Sequence, residues 1–127
     1  MAQGRILLVD DEEDIGIIVK RGLSLAGFDV SVETDPIAAF KKFRPGMYDL
    51  VILDLKMPDI SGIDLFKKLY EIDPKIKACF FSAFDLNLRG ELIKVHPEIM
   101  NKVCFIEKPV SIGKFVQIVR SEIMSAK

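Results

Sequence analysis

The sequence has a single histidine, two cysteines and no apolar run long enough to cross a bilayer. His96 precedes Pro97 in a polar stretch, and one imidazole cannot build a histidine metal site or a proton relay. Cys79 and Cys104 form no CxxC pair, so neither zinc nor a structural disulfide is expected. Both lie in strand-like apolar runs, where a free cysteine packs as a small buried hydrophobe. No glycine-rich loop follows the first apolar run. Asp10-Asp11-Glu12-Glu13 stands there instead and would repel a bare phosphate, which argues against a nucleotide- or flavin-binding α/β enzyme. The absence of a membrane-length run and of a signal-peptide form in Met1–Arg5 leads us to expect a cytoplasmic protein without membrane contact. Lysine and arginine number 18 against 19 acidic residues, for a net charge of −1. Nothing in that balance favours direct nucleic-acid binding.

Half of the 127 residues are hydrophobic, enough for the core of one compact domain. The chain turns on Leu50-Val51-Ile52-Leu53-Asp54-Leu55-Lys56-Met57-Pro58-Asp59. Four apolar residues end at a carboxylate, and Pro58 forbids a central strand from continuing. A short apolar run punctuated on both sides reads as a buried strand of a parallel sheet. Asp54 then sits at a strand's carboxyl end, the edge where open α/β sheets bind ligands. Taken alone, Asp54 reads as readily as a turn or capping residue.

Strand and helix alternate along the rest. Arg5–Val9 is a first strand, and Ile15, Ile18, Val19, Leu23 and Ala26 give a first helix ending near Gly27. Phe28–Val32 is a second strand whose Asp29 and Ser31 alternate with apolar residues, as near a sheet edge. Thr34-Asp35-Pro36 starts a second helix, which stops before Pro45-Gly46. Ile63, Leu65, Phe66 and Leu69 mark a third helix, and Ile76–Phe81 is a fourth strand that ends at Ser82. Leu86, Leu88, Leu92, Ile93 and Val95 suggest a helix interrupted around Pro97. Val103–Ile106 is a fifth strand, ending at Glu107-Lys108-Pro109. Ile112, Phe115, Val116, Val119 and Ile123 form a final amphipathic helix. The expected fold is α/β, a five-stranded parallel sheet with helices on both faces and right-handed crossovers.

Parallel strands gather their carboxyl ends on one edge. Asp10 and Asp11, Asp54, Ser82 and Lys108 therefore converge from distant parts of the chain. Turn preference explains each singly, but not acid, acid, hydroxyl and lysine at four of five strand ends. Carboxylates crowded together repel one another unless a cation joins them. Mg²⁺ suits such a site, because it uses few carboxylates, keeps waters and takes phosphate oxygens.

These residues are where the chain resembles the receiver domain of two-component response regulators, the doubly wound (βα)5, flavodoxin-like or CheY-like fold. The resemblance rests on Val9-Asp10-Asp11-Glu12, Asp54 with Met57-Pro58-Asp59 and Ser61-Gly62, Ser82-Ala83, and Phe105 with Lys108-Pro109. It spans essentially the whole chain and implies one receiver domain over residues 1–127 without an output domain. It implies that Asp54 accepts a phosphoryl group from a histidine kinase or phosphotransfer protein. Asp11 would bind Mg²⁺ directly, Asp10 through water, and the Lys56 carbonyl would add a ligand, with Mn²⁺ able to substitute. Ser82 and Lys108 would hold phosphoryl oxygens, Phe105 would be an aromatic switch, and the Lys108–Pro109 bond would be cis.

Lys56 and Phe84 lie two residues beyond Asp54 and Ser82, where the resemblance implies tuning of phosphoryl lifetime. The bulk of Phe84 suggests shielding from water and a long-lived phosphoryl state. The stretch from Ser82 to Lys108 is longer than usual and has Met100-Asn101-Lys102 before the fifth strand, so the usual phosphorylation-dependent dimer is not assumed. A monomer or weak homodimer that signals to a downstream protein target is expected. The resemblance implies no metabolic enzyme, only self-phosphorylation and autodephosphorylation. The competing reading is a receiver-like interaction module that works without phosphate; a chain freed from that chemistry need not keep its acid, Asp, Ser and Lys set.

Overall fold

The computed structural model of the chain describes residues 4–83, 94, 97, 103–108 and 110–125. Five strands, β1 (Arg5–Val9), β2 (Asp29–Glu33), β3 (Leu50–Leu53), β4 (Lys77–Ser82) and β5 (Val103–Glu107), form one sheet in the order β2-β1-β3-β4-β5. All four pairings are parallel. The helices described are α1 (Glu13–Leu25), α2 (Pro36–Lys42), α3 (Gly62–Ile72) and α4 (Ile112–Ser125).

The unbroken apolar runs of β1 and β3 follow from burial on both faces. Successive side chains point to opposite sides. Leu7, Val9, Val51 and Leu53 enter a core with Ala39 of α2 and Phe66 and Leu69 of α3. Ile6, Leu8, Leu50 and Ile52 enter the other core, with Val19 and Leu23 of α1 and Phe115 and Val119 of α4. Each of these valine, leucine, isoleucine and phenylalanine side chains contributes roughly 1.5–3 kcal/mol on leaving water. β3 lies at the centre, so Asp54 emerges from the best-packed strand. The edge placement of β2, legible in its alternating polar residues, is borne out.

Local chemistry sets the helix starts. The Asp35 side chain accepts the Ile37 N–H at 3.0 Å and Pro36 follows at the first helical position. The Ser61 hydroxyl oxygen accepts the Asp64 N–H at 3.1 Å and caps α3.

Two expectations need correction. Cys79 and Cys104 are disulfide-bonded. They face each other in the β4–β5 register, with Cα atoms 4.4 Å apart, a proximity that no spacing within the sequence reveals. The packing expectation holds beside the bond, since Cys79 is buried and Cys104 half-buried against the α1–α4 core. Ile18 is 56% exposed, because the buried stripe of α1 is narrow and runs through Gly16, Val19 and Leu23. The helix expected between Phe84 and Met100 lies outside the described residues, as does His96.

Candidate phosphoryl and metal site

The carboxyl edge of the sheet assembles the polar residues. Asp10 follows β1 and Asp54 follows β3, and the Asp54 N–H donates to the Val9 carbonyl at 3.1 Å. Ser82 ends β4, and the Lys108 N–H donates to the Ser82 carbonyl at 3.2 Å. That bond fixes the root of Lys108 beside Ser82.

The side chains interlock. The Ser82 hydroxyl donates to Asp54 Oδ1 at 3.0 Å, and the Lys56 N–H reaches the same oxygen at 3.3 Å. The Lys108 ammonium donates to Asp10 Oδ2 at 3.0 Å and to Glu12 Oε1 at 3.1 Å. It stands 3.7 Å from Asp54 Oδ2 and 5.1 Å from the centre of the Phe81 ring. Asp10 Oδ1 accepts the Glu12 N–H at 2.9 Å, a local turn of the kind Asp favours. Asp10, Asp54 and Ser82 are all buried.

Electrostatics follow from that burial. Burial pushes the Asp10 carboxyl above the ordinary range, against the lowering effect of the Glu12 N–H and Lys108. Burial pulls Lys108 down, but its bonds to Asp10 and Glu12 and the charge of Asp54 outweigh that, so its pKa is raised. Lys108 stays charged at neutral pH and partly offsets the crowded carboxylates.

Asp10, Glu12 and Asp54 each place one oxygen within 4.8 Å of the others. An all-oxygen, anionic donor set suits a hard divalent cation such as Mg²⁺. Asp11 is exposed, and among the described residues the three-carboxylate group does not include it. Lys56 is exposed, with its backbone N–H on Asp54. Phe105 is half-buried, 5.7 Å from Phe80 between ring centres. It packs with the α2–α3 core while Ile106 packs with the other. Phe84 and Pro109 lie outside the described residues, so the expected tuning role and cis bond do too.

Two residues quoted in the motifs were given no role of their own from the sequence. Glu12 stands at the N-cap of α1, yet its carboxylate turns back to Lys108. Gly62 starts α3 directly beneath Asp54. A Cβ there would collide with the Asp54 carbonyl oxygen, and the Gly62 N–H donates to the Leu55 carbonyl at 3.0 Å. Its signal was a glycine one residue after a capping serine, where closeness of backbones requires it.

Comparison with known proteins bears on this geometry. Residues 6–120 match the profile of the response regulator receiver domain. The transcriptional regulatory protein PrrA of Mycobacterium tuberculosis is 33% identical over 79 residues, covering 62% of this chain and 34% of PrrA. The chain thus matches about a third of the length of that relative. The response regulator receiver protein CpdR of Brucella abortus is 31% identical over 80 residues, covering 63% of this chain and 67% of CpdR. The non-phosphorylated HemR receiver domain of Leptospira biflexa superposes with a TM-score of 0.81 at 28% identity, covering 95% of this chain and 94% of that one. Among the described residues no helix is long and apolar enough to cross a membrane. With the profile spanning nearly all of it and the acidic pocket in place at the sheet's carboxyl edge, the chain belongs to the response regulator receiver domain family.

Proposed function

We propose that Asp54 is the phosphoacceptor, taking a phosphoryl group from the phosphohistidine of a sensor histidine kinase or phosphotransfer protein. The observation that carries this reading is the asymmetry of the Asp54 carboxylate. Oδ1 accepts Ser82 and the Lys56 N–H, while Oδ2 faces Lys108 at 3.7 Å. Oδ2 is the nucleophile: it bonds to phosphorus as the phosphorus–nitrogen bond breaks and the imidazole leaves with that electron pair. Such transfer depends on positioning and charge neutralisation more than on covalent help. Lys108 pairs with one transferred oxygen, and the Ser82 hydroxyl turns from Asp54 to another.

Asp10, Asp11, Asp54 and the Lys56 carbonyl would hold Mg²⁺, or Mn²⁺ in its place. When bound, the cation neutralises charge on the transferred oxygens. The Lys108–Pro109 bond, cis in this reading, aims the lysine. Lys56 and Phe84 set how long the acyl phosphate survives water. The reaction serves only the chain's own phosphorylation and autodephosphorylation.

Phosphorylation adds charge and strong acceptors, which bias a two-state element. When Ser82 turns toward phosphate, Phe105 on the edge strand β5 turns inward beside Phe80. The altered face then binds a downstream protein target, with the chain a monomer or weak homodimer in the cytoplasm. The test is intact mass after incubation with acetyl phosphate or phosphoramidate, with and without Mg²⁺. A Mg²⁺-dependent phosphoryl adduct on the wild type but not on Asp54→Asn is expected. Equal adduct on Asp54→Asn would refute the assignment.

A further inference from the structure

We propose that Glu12 is a latch for Lys108: it holds the ammonium away from Asp54 until a phosphoryl group arrives, and so sets how strongly that group is bound. The inference rests on the phosphoacceptor reading and adds a positioning residue to it.

Three observations carry it. First, Lys108 is drawn to one side of the pocket. It is within hydrogen-bond distance of Asp10 and Glu12 and 3.7 Å from Asp54. Two of the ammonium's three N–H donors are held by Asp10 and Glu12, so a shift toward a group on Asp54 works against those two bonds. Second, the two holders differ in freedom. The Asp10 side chain is 0% exposed and is fixed through Oδ1 by the Glu12 N–H. The Glu12 side chain is 59% exposed, so it swings into water at little cost. Third, Glu12 stands at the N-cap of α1, yet its side chain makes no capping hydrogen bond. Short side chains favour that position because their oxygen reaches the helix N–H groups. The longer arm of Glu12 reaches across to Lys108, just past the end of β5, instead, 96 residues away in the chain.

The latch is weak by construction, because one partner is solvated. Its release changes phosphoryl binding by what an exposed ion pair is worth, about two- to fivefold.

The test titrates beryllofluoride, a mimic of aspartyl phosphate, into protein saturated with Mg²⁺, and follows binding by fluorine NMR. Glu12→Gln is expected to bind it about two- to fivefold more tightly than wild type. Glu12→Asp keeps the charge but shortens the arm, and is expected to tighten binding in the same direction. Both gains are expected to vanish in a Lys108→Met background, since the latch acts only through that lysine. A second readout needs no cation or phosphate mimic: acylation of Lys108 by an activated acetate ester in metal-free protein, read by peptide mass spectrometry. It is expected to accelerate in Glu12→Gln while other lysines keep their rates. Unchanged or weaker binding in Glu12→Gln, a gain that survives Lys108→Met, or an unchanged acylation rate overturns the latch. A wild type that takes up no beryllofluoride overturns the phosphoacceptor reading and the latch together; uptake with no effect of Glu12 overturns the latch alone.

Discussion

Reducing the Cys79–Cys104 bond is expected to lower stability without unfolding the protein at room temperature. The bond closes a loop of sequence separation 25 between β4 and β5. In the chain-entropy account such a loop restricts the unfolded chain by about 3.5 kcal/mol at 25 °C. The reduced thiols remain in place as small hydrophobes, so little is lost in the folded state to change that figure. Unfolding entropy of about 2.1 cal/mol/K per residue, taken over 127 residues, turns 3.5 kcal/mol into a fall of about 13 °C in Tm. Domains of this size have a total of about 5–15 kcal/mol, so the reduced chain stays folded. The assay is urea and thermal unfolding with and without a phosphine reductant, with alkylation and intact mass confirming the thiol state. A loss below about 1 kcal/mol would refute the claim that the bond restricts the unfolded chain in this way.

Other expectations follow from single contacts. Gly62→Ala forces the Asp54 carbonyl and α3 apart and should cost about 1–3 kcal/mol, as overpacking does; an unchanged urea midpoint would refute the close approach. Ser82→Ala removes a buried donor from Asp54 and should cost about 1.5–3 kcal/mol in metal-free protein, read from the same denaturation curves. The pH dependence of Asp10→Asn has a definite sign. Because the Asp10 pKa is raised in the folded chain, its contribution is full below the unfolded value and is lost as pH rises through the folded one. Asp10→Asn should therefore be more stable than wild type at neutral pH in the absence of metal. The difference should shrink as pH falls into the ordinary carboxylate range. Urea titrations between pH 3.5 and pH 7 that show a growing gap on acidification would contradict it.

The order of strands and helices was legible because burial on two faces leaves an unmistakable mark. Leu50–Leu53 can be unbroken only if both sides of β3 are covered. The site was legible for a related reason, since parallel strands carry Asp10, Asp54, Ser82 and Lys108 to one edge without further information. What escaped was set by register and reach. The meeting of Cys79 with Cys104 depends on how β5 slides against β4, which neither strand encodes alone. Helical spacing marks a stripe on α1 but not its width, so Ile18 was placed inside when it lies outside. The role of Glu12 depends on which way one side chain turns at a helix start. The crowding at Gly62 depends on two backbones meeting at the turn after β3.

The central claim, that Asp54 and no neighbouring acid carries the phosphoryl group, is tested most directly by borohydride trapping. Reduction converts an aspartyl phosphate to homoserine, and peptide mass spectrometry reads its position. After phosphorylation by a small-molecule phosphodonor with Mg²⁺, homoserine is expected at position 54. Homoserine at position 10 or 11 instead, or none in protein that carries a phosphoryl adduct, would contradict the account.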